Sequence, residues 1–205
     1  MRILVIGASQ GTGALAKGHD VTAFARSPDK LALEDPRLRK ATGDFHRASS
    51  VDAAVPGHDA VIITASATSL KAFKDNPRYF SQGTEHVIAA MKKADVRRLA
   101  VLSALGVGES RRLVNPIVRF LLVDGLLRAA FVDHGRQEAQ VEASGLEWVI
   151  ARPGRLTDGP ARHRYVKKTP VERVPGSISR ADVADFLVDA CVSPDWVGHA
   201  VQLGG

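Results

Sequence analysis

The run Ile3-Leu4-Val5-Ile6 is apolar at every position and stops on Gly7. A run of this kind suits a strand buried on both faces, and such strands belong to parallel sheets covered by helices on either side. Four more runs share the pattern, at residues 21–25, 60–64, 99–103 and 148–151. Helical periodicity lies between them, notably over 82–93 and 133–143. A further helix near 180–191 opens on Ser179, with Asp182 at capping-box spacing. Strand and helix alternate along the whole chain, which predicts an α/β fold with a doubly wound parallel sheet. No linker, repeat or low-complexity stretch divides the 205 residues, so they are expected to form a single domain spanning 1–205. Its last part, from about 153 to 205, is expected to lie on the substrate side.

The remaining composition narrows the function classes. Cys191 is the only cysteine, which excludes an internal disulfide and a multi-cysteine metal site; no metal is expected. No apolar run approaches the ~20 residues that span a bilayer, and the first apolar run is too short for a signal peptide. The expected location is therefore cytoplasmic, with no membrane partner. The net charge of +6 points to an anionic ligand. The basic residues are scattered, and aromatics make up only 5% of the chain, which leaves few platforms for stacking bases. A small-molecule substrate is expected and a nucleic-acid partner is not. The segment 113–131 breaks the rhythm with many Leu, Val and Phe residues, and reads as an added helix, a cover over the substrate site or a subunit contact. Monomer and homodimer both remain open.

The strongest motif follows the first run: Gly7-Ala8-Ser9-Gln10-Gly11-Thr12-Gly13. A pyrophosphate must approach backbone amides closely, and side chains at the glycine positions would block it. The amides that open the next helix then face the phosphates. The second run ends in Ala25-Arg26-Ser27-Pro28-Asp29-Lys30. An acidic residue here would accept bonds from the ribose 2′-hydroxyl of NAD; Arg26 instead offers a guanidinium fork to a 2′-phosphate, with Ser27 and Lys30 nearby. NADP(H) is the expected cofactor, with NAD(H) second. Beyond Gly43, Asp44 is placed to accept a bond from the adenine amino group, with Phe45 beside it. Thr64, which ends the third run, and Ala65 and Ser66 just after it complete the expected cofactor contacts together with Ser103 and Pro153.

These stretches resemble the atypical short-chain dehydrogenase/reductase superfamily, in particular the small NAD(P)H-binding branch that includes flavin reductase/biliverdin IXβ reductase. The likeness continues through Ser81-Gln82-Gly83-Thr84, Val132-Asp133-His134, the stretch from Arg152-Pro153-Gly154-Arg155 to Gly159-Pro160, and Ile178-Ser179-Arg180-Ala181-Asp182-Val183. The resemblance implies a Rossmann fold binding NADP(H), and hydride transfer to a flavin, bilin, quinone or similar flat acceptor. Some relatives bind the nucleotide as a redox sensor without turnover, and a sugar-nucleotide epimerase-like enzyme is a weaker alternative.

The sequence also departs from that family. The spacing G-x-x-x-G-x-G belongs to the tyrosine-dependent branch, yet Tyr-x-x-x-Lys is absent: Tyr79 is followed at the fourth place by Gly83, and Tyr165 by Thr169. A lysine-assisted tyrosine acid is therefore unavailable. The candidate catalytic residues are Ser103, which ends the fourth run and is followed by Ala104 instead of a second serine; His134, which matches a family position facing the active site; and Arg155, where the bilin and flavin reductases carry a histidine. Flavin reduction tolerates these losses best, because hydride passes directly between rings.

A final departure concerns length. A crossover between parallel strands takes a dozen or more residues, and 8–20 barely reach that. Relative to the family, about two turns, or ~7 residues at 3.6 per turn, are lacking between Gly13 and Ala14. Either the helix is shortened or the chain as written closes over a break.

Overall fold

The computed structural model describes residues 1–7, 12–65 and 71–205. Its strands are β1 (Arg2–Ile6), β2 (Asp20–Ala25), β3 (Leu38–Thr42), β4 (Ala60–Ile63), β5 (Arg98–Leu102), β6 (Glu147–Pro153), β7 (Arg155–Thr157), β8 (Val166–Lys168), β9 (Ser177–Ser179) and β10 (His199–Gly204). The helices are α1 (Thr12–Ala16), α2 (Ala48–Ala54), α3 (Lys71–Asp75), α4 (Tyr79–Lys93), α5 (Pro116–Val118), α6 (Arg128–Glu142) and α7 (Arg180–Val192). Eight strands form one sheet in the order β3-β2-β1-β4-β5-β6-β10-β8, parallel throughout except for β8; β7 and β9 pair as a separate ribbon. The doubly wound parallel sheet is thus present, and each of the five apolar runs supplies a strand.

Alternation along β1 explains why its run is continuous. Ile3 and Val5 face a core layer shared with Val183, Phe186 and Leu187 of α7. Leu4 and Ile6 face the opposite layer, with Val51 of α2, Val87 and Met91 of α4 and Val141 of α6. A strand covered on both faces has no place for a polar residue.

The expected shortage after Gly13 is a short helix. The Lys17 amide donates to the Gly13 carbonyl at 3.3 Å, and the His19 amide to the Ala14 carbonyl at 3.1 Å, closing the helix just after Ala16. With only five residues in α1, Lys17 reaches Asp185 of α7 at 2.7 Å and also bonds Asp189. Burial works against the Lys17 ammonium, but the two carboxylates outweigh it and hold its pKa above the ordinary value. The irregular segment resolves into a 3₁₀ stretch over Gly108–Leu113, then α5, then a π-helix over Arg119–Leu126 that leads into α6. Asn115 starts α5, its Oδ1 accepting from the Ile117 amide at 2.9 Å, with Pro116 in the first helical position.

Two glycines of the phosphate motif carry different burdens. Gly7 has φ +89°, and a Cβ there would sit 2.7 Å from the Ala65 amide nitrogen. A Cβ on Gly13 would lie 3.7 Å from Ala184, an ordinary contact. Gly7→Ala is therefore expected to cost about 1–3 kcal/mol through overpacking and strain. Gly13→Ala is expected to stay within about 1 kcal/mol of the parent, since alanine favours helix. Denaturant unfolding of the two variants without nucleotide checks the contrast; equal losses would contradict it.

Candidate functional site

Sheet order places β1 between β2 and β4, so the chain leaves β1 where the direction of strand order reverses, and ligands of doubly wound sheets bind in that crevice. A cavity of about 220 Å³ opens at the carboxyl ends of β1 and β2. Its lining includes Gly7, Arg26, Asp44, Phe45 and Ala65, all singled out from the sequence as cofactor contacts. A larger cavity of about 310 Å³, lined by Arg2, Arg37 and Arg39, sits at the opposite strand ends, away from the glycine turn.

Each wall of the first cavity has a local cause. Thr64 is buried, its hydroxyl donating to the Ile6 and Gly7 carbonyls at 3.2 and 3.0 Å, so it ties the ends of β1 and β4 together and sets Ala65 against Gly7. Arg26 follows β2 directly, is exposed, and has no ion-pair partner among the described residues. Ser27 and Lys30 are exposed beside it, at and after the start of a 3₁₀ turn over Pro28–Lys30. The Asp44 Oδ1 accepts from the His46 amide at 2.9 Å. Phe45 packs against α4 at Gly83, where a Cβ would come within 2.1 Å of its ring.

Sequence reasoning missed two members of this site. His46 meets Tyr79 edge-on at 4.5 Å, and both residues line the cavity. Both His46 ring nitrogens are buried without a hydrogen-bond partner in the structure. Burial lowers its pKa, and the Arg26 charge adds to that, so the ring is neutral at neutral pH. The only signal for it was its place directly after Phe45. Ser9, Gln10, Gly11 and Ser66 lie outside the described residues; Thr12 and Gly13 belong to α1.

On the other side of β4, the structure ties Ser103 into a buried charged network. The Ser103 hydroxyl donates to Glu138 Oε1 at 2.6 Å. Glu138 also accepts two bonds from Arg152, at 3.0 and 2.8 Å, and Arg152 donates to Glu109 at 2.7 Å. Arg152 is 1% exposed and Glu138 5%. Burial opposes the Arg152 charge, but the two carboxylates raise its pKa, and its guanidinium draws Glu109 below the usual range. Pro153 follows at the end of β6, its carbonyl accepting from the Leu105 amide at 2.8 Å.

His134 sits one helical turn before Glu138 on α6. Its ring stacks on Phe80 with centroids 3.9 Å apart, and its Nδ1 bonds Gln137 Oε1 at 2.8 Å. Burial lowers its pKa, leaving it neutral at neutral pH. Next to it, buried Asp133 accepts from the Phe80 amide at 2.6 Å and so caps α4 from a neighbouring helix. Arg155 stands exposed on the β7–β9 ribbon, paired in register with Ser177. Ser103 thus bonds to α6, which also carries His134, while Arg155 comes from a separate ribbon. Among the described residues, no group of three metal-ligating side chains assembles.

A family model described as NAD(P)H-binding matches residues 6–194, nearly the whole chain. The chain belongs to the NAD(P)H-binding family. Among its relatives is the uncharacterized protein At2g34460, chloroplastic, of Arabidopsis thaliana, 27% identical over 98% of this chain and 76% of that protein. ChuY of Escherichia coli strain CFT073 is 25% identical, with a TM-score of 0.77 over 99% of this chain and 96% of that one. The ChuY structure from strain O157:H7, described as an anaerobilin reductase, shares the fold with a TM-score of 0.79 at 24% identity, over the same shares of the two chains. A short-chain dehydrogenase/reductase from Veillonella parvula, solved with NADP, likewise shares the fold, with a TM-score of 0.82 at 16% identity over 100% and 94% of the two chains. The resemblance drawn from the motifs therefore holds, and the fold is that of NAD(P)-binding Rossmann oxidoreductases. No helix among the described residues is long and apolar enough to cross a membrane.

The buried network makes a stability prediction for this family member. Glu138→Gln leaves the Arg152 guanidinium short of a buried countercharge, and is expected to cost about 3–5 kcal/mol. Glu109, more than half exposed, screens its partner less, and Glu109→Gln is expected to cost about 0–1 kcal/mol. Chemical denaturation of both variants measures the difference, and the reverse order would contradict the assignment.

Proposed function

We propose that this chain is an NADPH-dependent reductase that passes hydride to a flat conjugated acceptor such as a flavin, bilin or quinone. The observation that carries the cofactor half is Arg26, a guanidinium without an ion-pair partner among the described residues, at the rim of the cavity that also holds Gly7 and Asp44. Gly7, at φ +89° and without a Cβ, lets the chain turn out of β1 hard against the Ala65 backbone, as the tight first turn of a pyrophosphate-binding motif requires. Arg26 fits the 2′-phosphate, and Asp44 faces the adenine side. Bound there, NADPH supplies the hydride.

The acceptor half rests on what the protein does not need to provide. The chain has two tyrosines. Tyr79 lies in the cavity with Arg26, and Tyr165 donates to Asp185 at 2.9 Å, with burial raising its pKa well above the ordinary value. The Ser103 proton points to Glu138. These groups therefore offer no ready proton to a carbonyl at the end of β5. Hydride transfer between stacked rings asks the protein only for orientation and exclusion of water. The likeness to ChuY supports a bilin or related acceptor. Ser103, His134 and Arg155 remain the candidates for shaping the acceptor site, with Arg155 suited to an anionic group such as a propionate or phosphate.

The same shortage of proton donors supports a second reading, an NADP(H)-binding sensor without turnover. One assay separates the two. NADPH oxidation is followed with FMN, riboflavin and menadione as acceptors. Turnover with any of them is expected; tight NADPH binding without turnover would favour the sensor. Arg26→Ala is expected to weaken NADPH by roughly ten- to a hundredfold, the worth of a charge-assisted hydrogen bond, and NAD by less than about twofold. Equal loss for both nucleotides would overturn the 2′-phosphate assignment.

A further inference from the structure

The ten large apolar side chains exposed among the described residues are not scattered. Seven of them are Ile117, Val118, Phe120, Leu121, Leu122, Leu126 and Val132, all from α5, the π-helix and the second turn of α6. Ile117 is 69% exposed, Phe120 72% and Leu126 64%, while Val123 is the only buried residue of the π-helix. Contiguous apolar surface of this kind marks an interaction face in a water-facing protein.

The charges around the face select its partner. Residues 111–132 hold four arginines, at 111, 112, 119 and 128, and one acid, Asp124. Asp124 is fully engaged, with Arg111 donating to both of its oxygens at 2.7 Å. Arg112, Arg119 and Arg128 form no ion pair among the described residues. A second copy seated on this face by two-fold symmetry would bring unpaired arginines of both chains into one interface, with no free carboxylate on the segment to offset them. A short helical segment that presents Phe, Leu and Ile together with uncompensated arginines has instead the makeup of an interfacial membrane anchor.

We propose that residues 116–132 dock on an anionic lipid surface, with Ile117, Phe120 and Leu126 entering the headgroup–acyl boundary and Arg112, Arg119 and Arg128 meeting lipid phosphates. The docking is peripheral. It departs from the expectation, drawn from the lack of a spanning run, that the chain meets no membrane. It stands independently of the reductase reading, because it uses neither the cofactor cavity nor Ser103.

Flotation of the full chain with vesicles tests it. One set is phosphatidylcholine alone; the other is phosphatidylcholine and phosphatidylglycerol in equal amounts. Binding is expected only to the second set at low salt, and is expected to weaken as salt rises. Arg119→Ala and Arg128→Ala are each expected to weaken it roughly fivefold. The double variant Phe120→Asp, Leu126→Asp is expected to abolish flotation while leaving far-ultraviolet circular dichroism and NADPH binding unchanged, since both side chains are mostly in solvent. Failure of the parent to float, or unaltered flotation of the double variant, would overturn the proposal. So would a dimer in sedimentation velocity that the double variant converts to monomer without any vesicle binding.

Discussion

Everything on the cofactor side depends on how closely the ends of β1 and β4 approach. The Ala65 backbone comes so close to Gly7 that a Cβ on Gly7 would lie 2.7 Å from the Ala65 nitrogen, so no side chain fits between them. Thr64 locks that approach with two bonds to the β1 end. Because β1 is flanked by β2 on one side and β4 on the other, the crevice falls at Gly7 and opens toward Arg26 and Asp44. On the function proposed above, the guanidinium of Arg26 at that opening is what would select NADP over NAD. That guanidinium follows from the sequence position of Arg26, one residue beyond β2, where the chain has just left the sheet.

A second constraint acts on the other side of β4, around the end of β5. Glu138 and Arg152 are both buried, and neither charge could remain there alone. Their pairing fixes α6 against β6 and orients the Ser103 hydroxyl inward. The site gains rigidity and loses a free proton donor through the same bond. A chemistry that needs orientation more than acid catalysis is consistent with that arrangement, as is nucleotide sensing.

Much of this was legible in the sequence because the parallel sheet is covered on both faces. That cover makes strands such as β1 and β4 apolar at every position, while the glycine that ends β1 is required by its positive φ and the nearby Ala65 backbone. Arg26, Asp44 and Phe45 were legible because they follow their strands directly. His46 and Tyr79 were not, because they meet only when α4 packs beside the turn after Phe45. The pairing of Glu138 with Arg152 was not legible either, because it joins a helix to a strand across fourteen residues. The short α1 was visible as a deficit of residues, but its consequence was not. Lys17 bridges to Asp185 and Asp189 on α7, and thereby fastens the abbreviated helix.

The most direct test of the central claim is a crystal structure of the chain with NADP. The account predicts the pyrophosphate over the turn from Gly7 to Gly13, and the 2′-phosphate within hydrogen-bond distance of the Arg26 guanidinium. An adenosine end turned away from Arg26, or a nucleotide seated in the cavity at the opposite strand ends, would contradict it.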